Sequence, residues 1–427
     1  MFLAGIIPGP NEPPLTASNN YFAPLVDEFI EFWRPGVYFS QTAKFPAGRL
    51  ILCALILVIC DLPAARKISG FASHSNEHFC NVCHCKRSKP GLQNTSWTDW
   101  KLRTDKDYRK AMDDYEAAAT NDGREDKFKE NGIRSSELRR LPYFDMVDCI
   151  VVDPVHNHFL GLVNEHFTNI LGIRGRSIRI CLCPDSMSIA HVVWRSTMPY
   201  EARLLRKYPR LGEICSVFSA EYLPYNVMKR EVQVEVRDKG AITSTLCGHV
   251  LKSEEMSAIW TDLEQILTPS WVASIPARLG QPSHGKLKAD QWRILGTIHL
   301  PISLIRLWAM TPENSERSRR CYDILKVTLS LISAIIIATS NTITAANADA
   351  YLTHMTEYLD GIKRLFPDYK LKPNHHMSIH IHRYLKLFGP VHSWWVFPFE
   401  RLVGRLQRIP NNGKVGRSFE YVEFFRL

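Results

Sequence analysis

Apolar positions recur at helical spacing from Tyr21 to Trp33, where Phe22, Leu25, Val26, Phe29, Ile30 and Trp33 share one face, so the pattern predicts an amphipathic helix. Leu50 to Cys60 is different: a continuous apolar run with Ile51, Ile56, Val58 and Ile59, closed by Asp61-Leu62-Pro63. Its length and β-branching predict a strand buried on both faces. Asp61 then stands at the C-terminal end of a central strand, a usual place for catalytic groups in α/β folds. Residues 101–140 change character, with 21 charged positions out of 40, which predicts solvated helices or a linker. Leu141 to Val152 returns to apolar residues and leads into Asp153-Pro154-Val155-His156. From about 186 to 370 the pattern is mainly helical, as in Trp260, Leu263, Ile266 and Leu267. Val327 to Thr339, like Leu50 to Cys60, falls short of the roughly 18–20 residues of a membrane span, and both are expected in the core. The turn-rich opening, Ile6 to Pro14, resembles the exit from a strand lying partly before Met1.

Composition narrows the classes. In 427 residues, 45% are hydrophobic and 22% charged, which excludes a disordered tail, a collagen-like repeat and a polytopic membrane protein. A net charge of +10 points to an anionic partner, nucleic acid before acidic lipid. Eleven cysteines are too few for a disulfide scaffold, and three of them crowd into Phe79 to Cys85, while Cys181 and Cys183 sit two apart. A reducing compartment with a local metal site fits this usage. The first residues lack the basic start of a signal peptide.

Cys80 and Cys83 form a C-x2-C turn able to offer two thiolates to one tetrahedral metal. Far downstream, His376 and His380 lie four apart on one helical face, with His375 and His382 as alternatives. Together these would make a Cys2His2 site that staples the two ends of the chain. Asp61 and Glu400 are candidate magnesium carboxylates, although each also suits a helix start, where an acidic side chain is ordinary dipole and capping chemistry. Asp153-Pro154-Val155-His156-Asn157-His158 reads as a structural knot, with direct metal contact as the lesser reading. Arg401, Arg405, Arg408, Lys414 and Arg417 could track phosphates, or form a solvated basic face.

Several segments in order resemble the transposases of CACTA (En/Spm) DNA transposons: Gly5 to Pro13, Asp61-Leu62-Pro63-Ala64, Cys80-x2-Cys83, Asp153-Pro154-x-His156, and Phe397-Pro398-Phe399-Glu400-Arg401. Gly285 to Trp292 looks like the fungal branch of that family. The resemblance implies an α/β, RNase H-like (DDE transposase) core, incomplete at the N-terminus and interrupted by a long, mainly helical insertion. It implies residues 1–75 as the first part of that core, 76–370 as the zinc pair, charged linker and insertion, and 371–427 as the histidine pair and catalytic helix. In this family and the related V(D)J recombinase, the second catalytic aspartate ends a core strand and a C-x2-C follows it. The zinc histidines precede the final glutamate. Asp61, Cys80, Cys83, His376, His380 and Glu400 stand in those places, with Arg401, Arg405 and Arg408 implied on DNA.

One departure matters. The family's first catalytic aspartate lies upstream of the Ile6-Ile7-Pro8-Gly9-Pro10 segment, and Met1 to Gly5 contain no acidic residue. Asp27, on the amphipathic helix, is a poor replacement. The expectation is therefore a transposon-derived protein of the nucleus with structural Zn²⁺, DNA as partner and the capacity to form a homo-oligomer. Mg²⁺ is catalytic in intact relatives, and strand cleavage is expected to be absent from this chain. The rival expectation is a non-catalytic, zinc-stabilised DNA- or protein-binding module.

Overall fold

The structure, a computed structural model, describes residues 4–5, 13–88, 91–173, 250–270, 272, 274–281, 285–310, 315–406 and 408. In chain order its helices and strands are α1 (Leu15–Trp33), β1 (Val37–Phe39), β2 (Arg49–Ile51), α2 (Leu62–Ser69), α3 (Asp105–Ala117), α4 (Asn121–Asn131), α5 (Ser253–Gln265), α6 (Ala289–Ile294), α7 (Leu300–Leu304), α8 (Glu316–Ala338), α9 (Ala345–Leu365), α10 (Pro373–Phe388) and α11 (Phe397–Leu406). Wider π-helical turns occupy Val155–Val163, His166–Ile170, Leu295–His299 and Ile305–Ala309. Helix outweighs strand, 59% to 4%, so the chain is mostly helical where an α/β core was expected, and the helical reading of the insertion holds for its described residues from 250 on. The sheet of an α/β core is represented among the described residues only by β1 and β2, paired antiparallel, and by isolated bridges. The chain divides into two compact units: Met1–Gly91 with Thr98–Asp153 and Trp394–Leu427, and Leu92–Trp97 with Pro154–Ser393.

In the first unit, α1 covers the predicted amphipathic stretch and begins six residues earlier, at Leu15. Its Val26 is buried, and Trp33 packs on Tyr143 with ring centroids 4.4 Å apart. The apolar run Leu50 to Cys60 departs from expectation. Only its first residues belong to β2; Leu50, Leu52 and Ile56 are 52%, 60% and 61% exposed, so it is not a strand buried on both faces. Apolarity reports what a segment could bury, but a buried strand also needs neighbours, and here β1 pairs with residues 49–51 alone. Farther on, Val58 pairs in parallel with Ile150, through Val58 N–H to Cys149 O at 2.8 Å. Three residues past each bridge partner stands an aspartate, Asp61 and Asp153.

Asp61 caps α2, its Oδ1 accepting from Ala64 N–H at 2.8 Å, with Pro63 in the first turn. Gly70 ends α2 at φ 71°, where a Cβ would stand 2.5 Å from Arg134 O, so only glycine fits the reversal. That reversal lets Phe71 bridge Ile133 and sends the chain toward the cysteine turn. The charged stretch forms α3 and α4, capped by Thr104 and Thr120, with Tyr108, Met112 and Phe128 turned inward.

The second unit is helical. α8 carries Leu329, Leu331, Ile332, Ala334 and Ile335 fully buried, which bears out the core expectation for Val327 to Thr339. At 23 residues the whole helix is long and apolar enough to cross a membrane by length and composition, yet 83% of its most apolar window is buried inside the protein. It packs along α9, where Gly361 permits close approach: a Cβ there would meet Val327 at 2.3 Å. α10 packs in turn on α9 and on Val155–Val163.

Candidate metal centre

The cysteine turn is built from the first unit. Residues 82–84 run antiparallel beside 101–103, with His84 N–H to Lys101 O and Arg103 N–H to Val82 O both at 2.9 Å. The turn then aims amides at sulfur: Val82 N–H and Cys83 N–H point to Cys80 Sγ at 3.4 and 3.3 Å, and Cys85 N–H to Cys83 Sγ at 3.4 Å. Such N–H donors favour thiolate. Two buried arginines brace the backbone, Arg66 through Phe79 O and Arg103 through Cys80 O (3.1 Å) and Cys83 O (3.0 Å). Arg103 sits in a charged stretch and Arg66 beside Lys67 on a short helix, so neither stood out in the sequence pattern as a buried residue. Both sulfurs are fully buried and 3.5 Å apart. Burial, and then the neighbouring sulfurs, push the Cys83 thiol far above its ordinary range. A cation is what would make thiolates stable in this place.

The histidine pair is built by α10. Lys372 N–H donates to His375 Nδ1 at 3.1 Å, so His375 closes the helix start as a capping residue. Its ring stacks on Tyr358, and burial holds its pKa down at about 4. His382 turns away to Asp349, 2.9 Å from its carboxylate. His376 and His380 remain, both buried, with their Nε2 atoms 3.1 Å apart. The sequence alternatives therefore resolve to His376 and His380. The ligand atoms of Cys80, Cys83, His376 and His380 all lie within 4.8 Å of one another. A tetrahedron with bonds of about 2.0 Å to nitrogen and 2.3 Å to sulfur has edges of roughly 3.3 Å and 3.8 Å. The spacings of 3.1 Å and 3.5 Å are close to these, so the four residues can hold a metal ion of zinc's size and donor preference.

The carboxylates are arranged otherwise. Asp61 is half-buried and engaged as a helix cap. Asp153 is buried, and its Oδ1 accepts from Val396 N–H at 3.0 Å, just ahead of α11. Cys60 lies near both aspartates; burial, then Asp61 and Asp153, push its thiol up to about 12. Glu400 is exposed in the first turn of α11. Among the described residues, the cysteine–histidine quartet is the group of three or more ligating side chains with metal spacing; Asp61 and Glu400 belong to no such group. Asp27 is exposed and pairs with Arg140. Arg401 and Arg405 are exposed four apart on α11, and Arg408 is exposed just past its end. Lys414, Arg417, Cys181 and Cys183 lie outside the described residues. Compared with protein-family models and with curated proteins, the sequence finds no match.

Proposed function

We propose that the chain is a zinc-stabilised, DNA-binding protein of transposase type that does not itself cut DNA. The observation that carries this reading is the buried Cys2His2 quartet, whose donor set and spacings suit Zn²⁺. Its residues are also those that the CACTA resemblance assigns to structural zinc. An RNase H-like core is the finer fold reading, supported by the parallel bridge Val58–Ile150 ending at Asp61 and Asp153, with Glu400 on a helix of the same unit. DNA is the proposed partner on the +10 net charge and the exposed arginines Arg401, Arg405 and Arg408, with the nucleus as its compartment.

The non-catalytic reading is preferred to the catalytic one on a specific ground. Two-metal phosphoryl transfer needs carboxylates gathered around the ions, and here Asp61 is engaged in capping while Glu400 faces solvent. The test uses residues 1–427 with duplex DNA. Binding should be sequence-tolerant and weaken steeply between 50 and 200 mM salt (about these values) through counterion release. The triple replacement of Arg401, Arg405 and Arg408 by Ala should shallow that salt slope. No nick should appear with Mg²⁺ or Mn²⁺. Salt-indifferent binding would remove the DNA reading, and metal-dependent nicking abolished by Glu400→Gln would remove the non-catalytic one.

A further inference from the structure

Behind the histidine pair, the second unit buries a chain of polar groups that the metal quartet does not include. Tyr351 on α9 is fully buried, and its hydroxyl donates to the carbonyl of Ser378 at 2.7 Å. Ser378 lies midway between His376 and His380 on α10. His158 Nε2 stands 2.9 Å from the same hydroxyl. A tyrosine has one proton to give, and the Ser378 carbonyl can only accept, so His158 must donate through Nε2–H. Its Nδ1 is then a bare lone pair, in agreement with that atom being buried without a partner. Burial holds the ring neutral, with its pKa pushed down to about 3.

We propose that Tyr351, oriented by His158, is the positioning residue that sets the turn of α10 presenting His376 and His380 to the metal. This rests on the zinc reading above. The bond reaches the backbone between the two ligands, so it fixes that turn along the helix axis. A metal tolerates ligand displacements of only about 0.2 Å, so slippage of this one turn would carry both imidazoles out of range together. Tyr358 supplies a natural comparison. It sits on the same helix and is equally buried, but its hydroxyl faces His166 Nδ1 at 3.4 Å and makes no bond to the α10 backbone.

The experiment compares the full chain with Tyr351→Phe and Tyr358→Phe. Zinc affinity is read by competition with a chromophoric chelator, and ligand geometry by the visible bands of the Co²⁺-substituted protein. Tyr351→Phe should weaken zinc binding about 10–100-fold, the range for outer partners of metal ligands, and alter the Co²⁺ bands. Tyr358→Phe should keep the affinity and the bands of the wild type. Equal losses in both variants would reduce Tyr351 to a general packing residue and overturn the proposal, as would an unaffected Tyr351→Phe. A wild-type chain that binds neither zinc nor cobalt would instead overturn the metal reading beneath it. Should Tyr351→Phe not fold, histidine-labelled wild-type protein serves: long-range ¹H–¹⁵N correlations should show His158 as the Nε2–H tautomer, and the Nδ1–H tautomer would overturn the proposal.

Discussion

The metal quartet and the carboxylates carry the same family resemblance, yet the molecule treats them differently. Cys80, Cys83, His376 and His380 are all buried and converge to metal spacing. Asp61 caps a helix and Glu400 is exposed. The difference follows from what each group costs. A buried thiol–imidazole cluster without a cation leaves closely packed donors facing one another, so the ion and the fold depend on each other. A carboxylate at a helix start is stable alone, through amide hydrogen bonds and the helix dipole.

Cys83→Ser should lose the metal and lower the unfolding midpoint by roughly 5–10 °C, since zinc bound only by the folded state contributes directly to stability. Calorimetry with metal analysis checks this. Full zinc occupancy in the variant would contradict the quartet.

Acid should reach the histidine-bearing helices next. Burial holds His158 and His166 neutral, each pushed down to about 3, whereas unfolded histidine takes a proton near 6.5. The unfolded chain therefore binds more protons between those values. The stability from each is complete above about pH 6.5 and falls at up to about 1.4 kcal/mol per pH unit as pH drops toward 3. His166→Gln should flatten this limb relative to the wild type, as read from urea unfolding between pH 6.5 and 4.5 (about these values). An identical slope would show that His166 is not the group responsible.

Asp61→Ala should cost about 1 kcal/mol through the lost cap, Asp61→Asn much less, and neither should change zinc content. Mg²⁺ should leave the unfolding midpoint of the wild type where it was. A Mg²⁺-dependent rise that Asp61→Asn removes would show Asp61 to be a cation ligand after all.

What was legible in the sequence divides along similar lines. Local spacing carried the cysteine pair, the histidine face of α10, the amphipathic α1 and the buried stretch of α8, because each signal lies within a few turns of chain. Between His375 and His376 the sequence could not choose; that depended on a capping bond from Lys372. Leu50 to Cys60 misled because apolarity does not state whether a partner strand stands beside it, and most of the run has none among the described residues. Asp61 was ambiguous for a chemical reason: the same carboxylate suits an N-cap and a cation.

The most direct test of the metal centre is zinc X-ray absorption on the purified full chain. About one zinc per chain is expected, with two sulfurs at about 2.3 Å and two imidazole nitrogens at about 2.0–2.1 Å. A chain without zinc, or a shell of oxygen and nitrogen lacking sulfur, would contradict it.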